Sequence, residues 1–161
     1  MKTWFHHRYF WHAAIPVYGL ILALTMVKDL YFTGNQPNIL FYLLVPAVGL
    51  FGAAGTVYLF LRLLRRDFDF SGILKIFFIS DFIMQIWENL AKIVYYTLWQ
   101  YPGILWFAVF PLAFTLTAYL FVRIYKTNWK FAYLLAVIGF ASSVVFGLLF
   151  TALTGIETPG S

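Results

Sequence analysis

The sequence predicts an all-α integral membrane protein, a single bundle of five transmembrane helices with its N-terminus cytoplasmic and its C-terminus outside. Three observations predict it. The 161 residues are 63% hydrophobic and only 11% charged, with a mean hydropathy of +0.83, far from the balance of a water-soluble domain. Five apolar runs each reach the ~20 residues that a helix needs to cross hydrocarbon at about 1.5 Å rise per residue. The basic residues gather at alternate ends of those runs, as the short cytoplasmic loops of a membrane protein require. One transmembrane domain, residues 1–161, fills the whole length.

The first span runs from about Tyr9 to Phe32. Lys2 and Arg8 precede it, and the basic, aromatic stretch MKTWFHHRYFWH suits a segment resting among lipid headgroups. The apolar run that follows is too long for a cleaved signal peptide, and no A-x-A-like site accompanies it. TGNQPN, with Gly34, Asn35, Pro37 and Asn38, makes the turn into the second span, from about Ile39 to Leu64. The third runs from about Ile73 to Trp99, between the breaker sequences RRDFDFSG and QYPG. The fourth covers about Ile104 to Tyr125. After KTNWK the fifth covers about Phe131 to Thr154, leaving the polar tail GIETPGS.

Arg62, Arg65, Arg66 and Lys75 surround the second loop and Arg123, Lys126 and Lys130 the fourth, while the first and third loops hold no Lys or Arg. An even number of spans breaks this alternation. The formal charge of +5 therefore reads as topology signal, and nucleic acid is not an expected partner. The bilayer is. The expected location is a plasma or inner membrane or an organelle membrane.

Small residues indicate where helices approach closely in lipid. The fifth span carries Gly139, Ser143, Gly147 and Thr151 at four-residue spacing, and the second offers Gly49, Gly52, Ala53, Ala54 and Gly55. The stripe on the fifth span is also a candidate homodimer surface. Pro16, Pro46 and Pro111 fall inside the first, second and fourth spans, where each removes a backbone hydrogen bond.

The third span breaks the apolar pattern. Asp81, Gln85, Glu88 and Lys92 follow steps of four, three and four, which place them on one helix face. Asn89 lies at the edge of that face. Ionisable groups at membrane depth are costly and mark a protein-lined cavity, an ion-pair network or a functional site. Glu88 and Lys92 form a favoured i,i+4 pair. Asp81 has no basic residue four positions away and calls for an interhelical partner. Lys28 and Asp29, near the outer end of the first span, are the other charged pair, and crossed pairing of Lys28 with Glu88 and Asp29 with Lys92 is expected if the first and third spans adjoin.

Other chemistry is largely excluded. The chain has no cysteine, hence no disulfide or thiolate site. Its histidines, His6, His7 and His12, all fall in the first twelve residues, so a bis-histidine haem site within the chain is excluded and no metal site is expected. No phosphate-binding loop, H-E-x-x-H motif or G-x-S-x-G elbow is present. The sequence names no cofactor and no catalytic residue. The expected function is an outward-opening polar pocket on the third span that binds a small ligand, proton or ion for transport or sensing. Asp81 and Glu88 would be its acceptors, Gln85 and Asn89 orienting donors, and Lys92 a counter-charge. The alternatives are a non-catalytic subunit whose stripe docks on a membrane-complex partner and, less favoured, a lipid- or sterol-modifying enzyme.

Overall fold

The computed structural model describes residues 9–33, 38–98 and 102–155, which form five helices: α1 (Phe10–Thr33), α2 (Ile39–Leu63), α3 (Phe70–Leu98), α4 (Pro102–Tyr125) and α5 (Trp129–Thr154). Even the 24-residue α1 extends roughly 36 Å at the α-helical rise, more than the ~30 Å of a bilayer's hydrocarbon. Among the described residues four helices, α1, α2, α3 and α5, are long and apolar enough to cross a membrane, with mean hydropathies of 1.7, 1.9, 1.4 and 2.3. The low value of α3 reflects its polar stripe. Helix α4 is 24 residues long, and its Val109–Tyr125 stretch is apolar. His6 and His7, with the rest of residues 1–8, lie outside the described residues, and His12 is exposed on α1.

Side-chain caps set the helix starts. Asn38 accepts from the Phe41 amide at 3.3 Å and Asn128 from the Phe131 amide at 2.8 Å, each satisfying one of the amides a helix N-terminus leaves unpaired. The Asp69 carboxylate does the same for Gly72 at 2.6 Å. That cap explains why α3 begins at Phe70, three residues before the expected Ile73. Helices α1, α2 and α4 continue through Pro16, Pro46 and Pro111.

Helices α2 to α5 close into a ring in which α2 and α4 each pack on both α3 and α5, while α1 lies outside it against α2 and α3. Directions alternate along the chain. Phe68 stacks on Tyr125 at 4.1 Å, Arg66 lies 5.8 Å over the Phe131 ring, and Lys75 lies 5.4 Å from the Phe10 ring. The start of α1 and the α2–α3 and α4–α5 loops therefore share one end. At the other end Tyr42, early in α2, reaches Asp29, late in α1.

Close approach of α2 and α5 depends on glycine. A Cβ on Gly49 would lie 2.6 Å from Ser143 Oγ, and one on Gly52 would overlap the Phe146 ring. Gly139 faces the Phe77 ring of α3 in the same way. The small-residue stripe of α5 is thus covered within the chain by α2 and α3 over Gly139, Ser143 and Gly147. Ser80 and Thr117, both fully buried, join α3 to α4 through their hydroxyls at 2.8 Å. The main core, with Val57, Leu61, Ile73, Ile76, Phe121 and Leu135 at its centre, fills the half of the ring toward the two loops. The exterior stays apolar, with Val27 65%, Leu59 63% and Leu148 65% exposed, as a surface that meets lipid or protein must be.

The two hairpins α2–α3 and α4–α5 carry a repeat not anticipated from span counting. Thr56 and Thr117, Tyr58 and Tyr119, Leu59 and Leu120, Phe60 and Phe121, Arg62 and Arg123, and Phe70 and Phe131 are identical pairs, each 61 residues apart. The conformation repeats as well. Arg65 (φ 53°) and Lys126 (φ 57°), also 61 apart, are the non-glycine residues with left-handed backbones among the described residues. Each follows an arginine that donates from Nε to the tyrosine four residues before it, at 2.9 Å in α2 and 3.0 Å in α4. Arg65 closes α2 in a Schellman motif, its amide reaching the Arg62 carbonyl at 3.0 Å while the Arg66 amide reaches that of Leu61 at 2.9 Å.

Candidate functional site

The polar face of α3 meets α1 in a ladder. Tyr18, part-way along α1, packs on Phe78 at 4.8 Å and donates its hydroxyl to Asp81 Oδ2. Two turns further on, Asn89 bridges the helices: its Oδ1 accepts from Lys28 Nζ at 2.8 Å, and its Nδ2 donates to Thr25 Oγ1 at 2.8 Å and to the Gln85 carbonyl at 2.9 Å. Thr25 in turn donates to the Ile21 carbonyl of its own helix. Lys28 is only 8% exposed and pairs with Asp29 at 3.2 Å; the other oxygen of Asp29 accepts from the Tyr42 hydroxyl at 2.5 Å. Three helices are joined at this end by one chain of polar contacts.

The close ion pairs seen among the described residues follow the chain, where the sequence suggested crossed pairing of Lys28 with Glu88 and of Asp29 with Lys92. Lys28 pairs with Asp29, its sequence neighbour, and Lys92 with Glu88 at 2.8 Å one turn away. Pairs within one helix need no approach of backbones and fix fewer torsions, and the space between α1 and α3 goes to Asn89. Glu88 and Lys92 stay half-exposed, at 31% and 23%. Of the residues named from sequence, Asp81, Asn89, Lys28 and Asp29 make contacts between helices, Glu88 and Lys92 form their own pair, and Gln85 contributes its backbone carbonyl.

Sequence reading missed Tyr18, Thr25 and Tyr42. Tyr18 and Thr25 were legible in principle. They lie with Leu22 and Asp29 at steps of four, three and four along α1, the spacing of a single helix face. On α3 the facing row is Phe78, Phe82 and Asn89, rotated from the centre of the polar stripe.

Electrostatically, Asp81 differs from the other acids of the ladder. Asp29 and Glu88 each have a lysine within 3.2 Å. Asp81 has a phenol and, among the described residues, no basic group within ion-pair distance. A carboxylate can accept about four hydrogen bonds, so it retains capacity for a proton, a cation or a donor group. Apolar space flanks this pair. A cleft of about 190 Å³ lies between α1 and Phe78, Ile79 and Phe82 of α3, and Tyr18 itself borders a groove of about 380 Å³ between α1, α2 and α3.

No family model, curated protein or solved structure matches the chain. Function is then read from the chemistry of the site itself. Among the described residues no three His, Cys, Asp or Glu side chains converge as a metal would need.

Proposed function

We propose that the chain is an integral membrane protein of five spans, N-terminus cytoplasmic, whose α1–α3 ladder binds a small cation, proton or polar ligand at Asp81, reached from the outer side past Glu88 and Lys92. The alternating helix directions and the basic residues shared by the two loops support this topology. The observation that carries the binding reading is the pairing pattern. Lys28 and Lys92 each hold an acid, whereas Asp81 meets the Tyr18 hydroxyl. An acid at this depth without a counter-charge must draw one, or a proton, from elsewhere. Asn89 and Gln85 lie one to two turns outward on the same helix, where a ligand with both donors and acceptors would pass. The site offers no activated nucleophile among the described residues, so binding, transport or sensing fits it better than turnover.

The test uses the full chain in detergent or lipid. Sodium, potassium, small amines and changes of pH are screened for thermal stabilisation, since a ligand that binds only the native state raises the melting temperature by mass action. Infrared difference spectra then report the carboxyl C=O stretch. The expected result is a cation- or pH-dependent carboxyl band and a thermal shift, both absent in Asp81→Asn, with the helical content unchanged. A wild type indifferent to every probe, or an Asp81→Asn variant that keeps the band and the shift, overturns the reading. Release of a co-purifying membrane protein by Asp81→Asn would show instead that the stripe is a docking face.

A further inference from the structure

The opposite end of the bundle presents a second, unrelated concentration of charge. Arg62, Arg65, Arg66, Arg123, Lys126 and Lys130 lie on or beside the α2–α3 and α4–α5 loops, against the two exposed acids Asp67 and Asp69. Part of this charge is already committed. Arg62 and Arg123 are tied to Tyr58 and Tyr119, and Arg62 also lies 3.6 Å from Asp67.

The two hairpins differ where their repeat would make them alike. In the first, Asp69 accepts the Tyr125 hydroxyl at 2.8 Å while Phe68 stacks on the Tyr125 ring, so this corner is closed and acidic. The residue 61 positions later is Lys130, and the corner there is open and basic. Asn128, Trp129, Lys130, Phe131 and Leu134 line a cup of about 520 Å³. Arg66, from the neighbouring loop, holds its guanidinium 5.8 Å over the Phe131 ring, and the Schellman turn at Arg65 fixes the backbone that delivers it. Trp129 and Leu134 remain 47% and 45% exposed.

A shallow, open depression lined by Trp129, Lys130, Phe131 and Leu134, with Arg66 over the Phe131 ring, set at the end of helices long enough to span a bilayer, matches an amphiphile with an anionic head. We propose that it binds one anionic phospholipid, the phosphate held between Lys130 and Arg66 and the first acyl carbons laid against Phe131 and Leu134. Arginine and lysine suit this differently: the guanidinium offers a planar fork of donors and the ammonium a compact charge. The inference rests on the membrane reading but not on any role of Asp81.

Native mass spectrometry of the full chain, titrated with phosphatidylglycerol and phosphatidylcholine of identical acyl chains, tests it. A basic residue beside an anionic lipid contributes about fivefold in affinity, equivalent to ~1 kcal/mol. The wild type should therefore bind its first phosphatidylglycerol at least tenfold tighter than phosphatidylcholine. Arg66→Gln/Lys130→Gln should lose that preference to within about twofold of unity, and Lys130→Gln alone should lose about fivefold. Arg62→Gln/Arg123→Gln, with the same charge change at the same end, should keep it. Equal affinity for the two lipids, or equal loss in both double variants, overturns the site, the latter because it reports diffuse attraction. Capture of an acidic protein in place of lipid also overturns it. Flotation with vesicles separates these failures from failure of the membrane reading, in which the wild type would not float at all.

Discussion

Tyr18 and Asp81 stand 63 residues apart in the chain and meet as donor and acceptor at the contact of α1 with α3. Around them the contact is aromatic, with Phe78 and Phe82 on α3 packing against the same phenol. The hydrogen bond is therefore a polar point in an apolar stretch, and it holds an outlying helix to a ring that is otherwise closed.

Removing one member of this pair should cost more than removing both. Tyr18→Phe leaves the carboxylate without a donor among the described residues, at about 1–3 kcal/mol for an unsatisfied buried group, whereas hydrogen bonds between membrane helices average only about 0.6 kcal/mol. The expected loss lies between, at about 1–2 kcal/mol. Asp81→Asn keeps an acceptor and should lose less than about 1 kcal/mol. Tyr18→Phe/Asp81→Leu removes donor and acceptor together and should recover most of the stability lost by Tyr18→Phe. Equilibrium unfolding in mixed micelles measures all three, and strictly additive losses would contradict the pairing.

Asn89 should matter more than Gln85, although the stripe read from sequence puts Gln85 at its centre. Asn89→Leu removes the acceptor of Lys28 and the donor to Thr25 in one step. The expected cost is about 1–2 kcal/mol, the sum of two interhelical hydrogen bonds in lipid. Gln85→Leu leaves the backbone carbonyl that receives Asn89 in place and should stay within about 0.5 kcal/mol of wild type. The same micelle titration separates the two variants, and equal effects would mean that the ladder does not hold α1.

That contrast shows what was legible. Helix number and order followed from the lengths of the apolar runs and the breaker residues between them. The polar face of α3 followed from spacing alone. Which neighbour would cover that face did not, because periodicity gives the direction of a side chain relative to its own helix and nothing about the helix opposite. Asn89 looked peripheral for this reason, and it became the bridge once α1 packed over the row of Phe78 and Phe82. The left-handed turns at Arg65 and Lys126 were hidden for a different reason: that position usually signals itself by glycine, and here it is filled by basic residues.

Glycines of the α2–α5 and α3–α5 contacts should separate sharply from those outside. Gly139→Ala places a methyl group into the Phe77 ring, and overpacking of this kind costs about 1–3 kcal/mol. Phe77→Leu in the same chain makes room and should return part of the loss. At Gly19 and Gly55 an added methyl group would meet nothing within 4 Å, so Gly19→Ala and Gly55→Ala should be neutral or stabilising by up to about 1 kcal/mol through helix propensity. Thermal unfolding followed by tryptophan fluorescence reads all four. A tolerant Gly139 would mean that α3 and α5 are not packed as described.

Arg65→Gly and Lys126→Gly should each stabilise the chain slightly, and should do so to the same extent. A left-handed backbone costs an ordinary L-residue about 1–2 kcal/mol, and glycine occupies it without that strain but gives back about 0.5–1 kcal/mol in unfolded-state entropy. The net gain is about 0.5 kcal/mol per site. Because the two turns close different helices in equivalent positions of the repeat, their effects should add in the double variant. The charges lost lie outside the cup formed by Lys130 and Arg66, so preference for anionic lipid should survive the gain in stability. Retained preference together with a higher melting temperature would assign these turns to helix termination and the lipid contact to their neighbours; loss of preference would place the headgroup on the turns themselves.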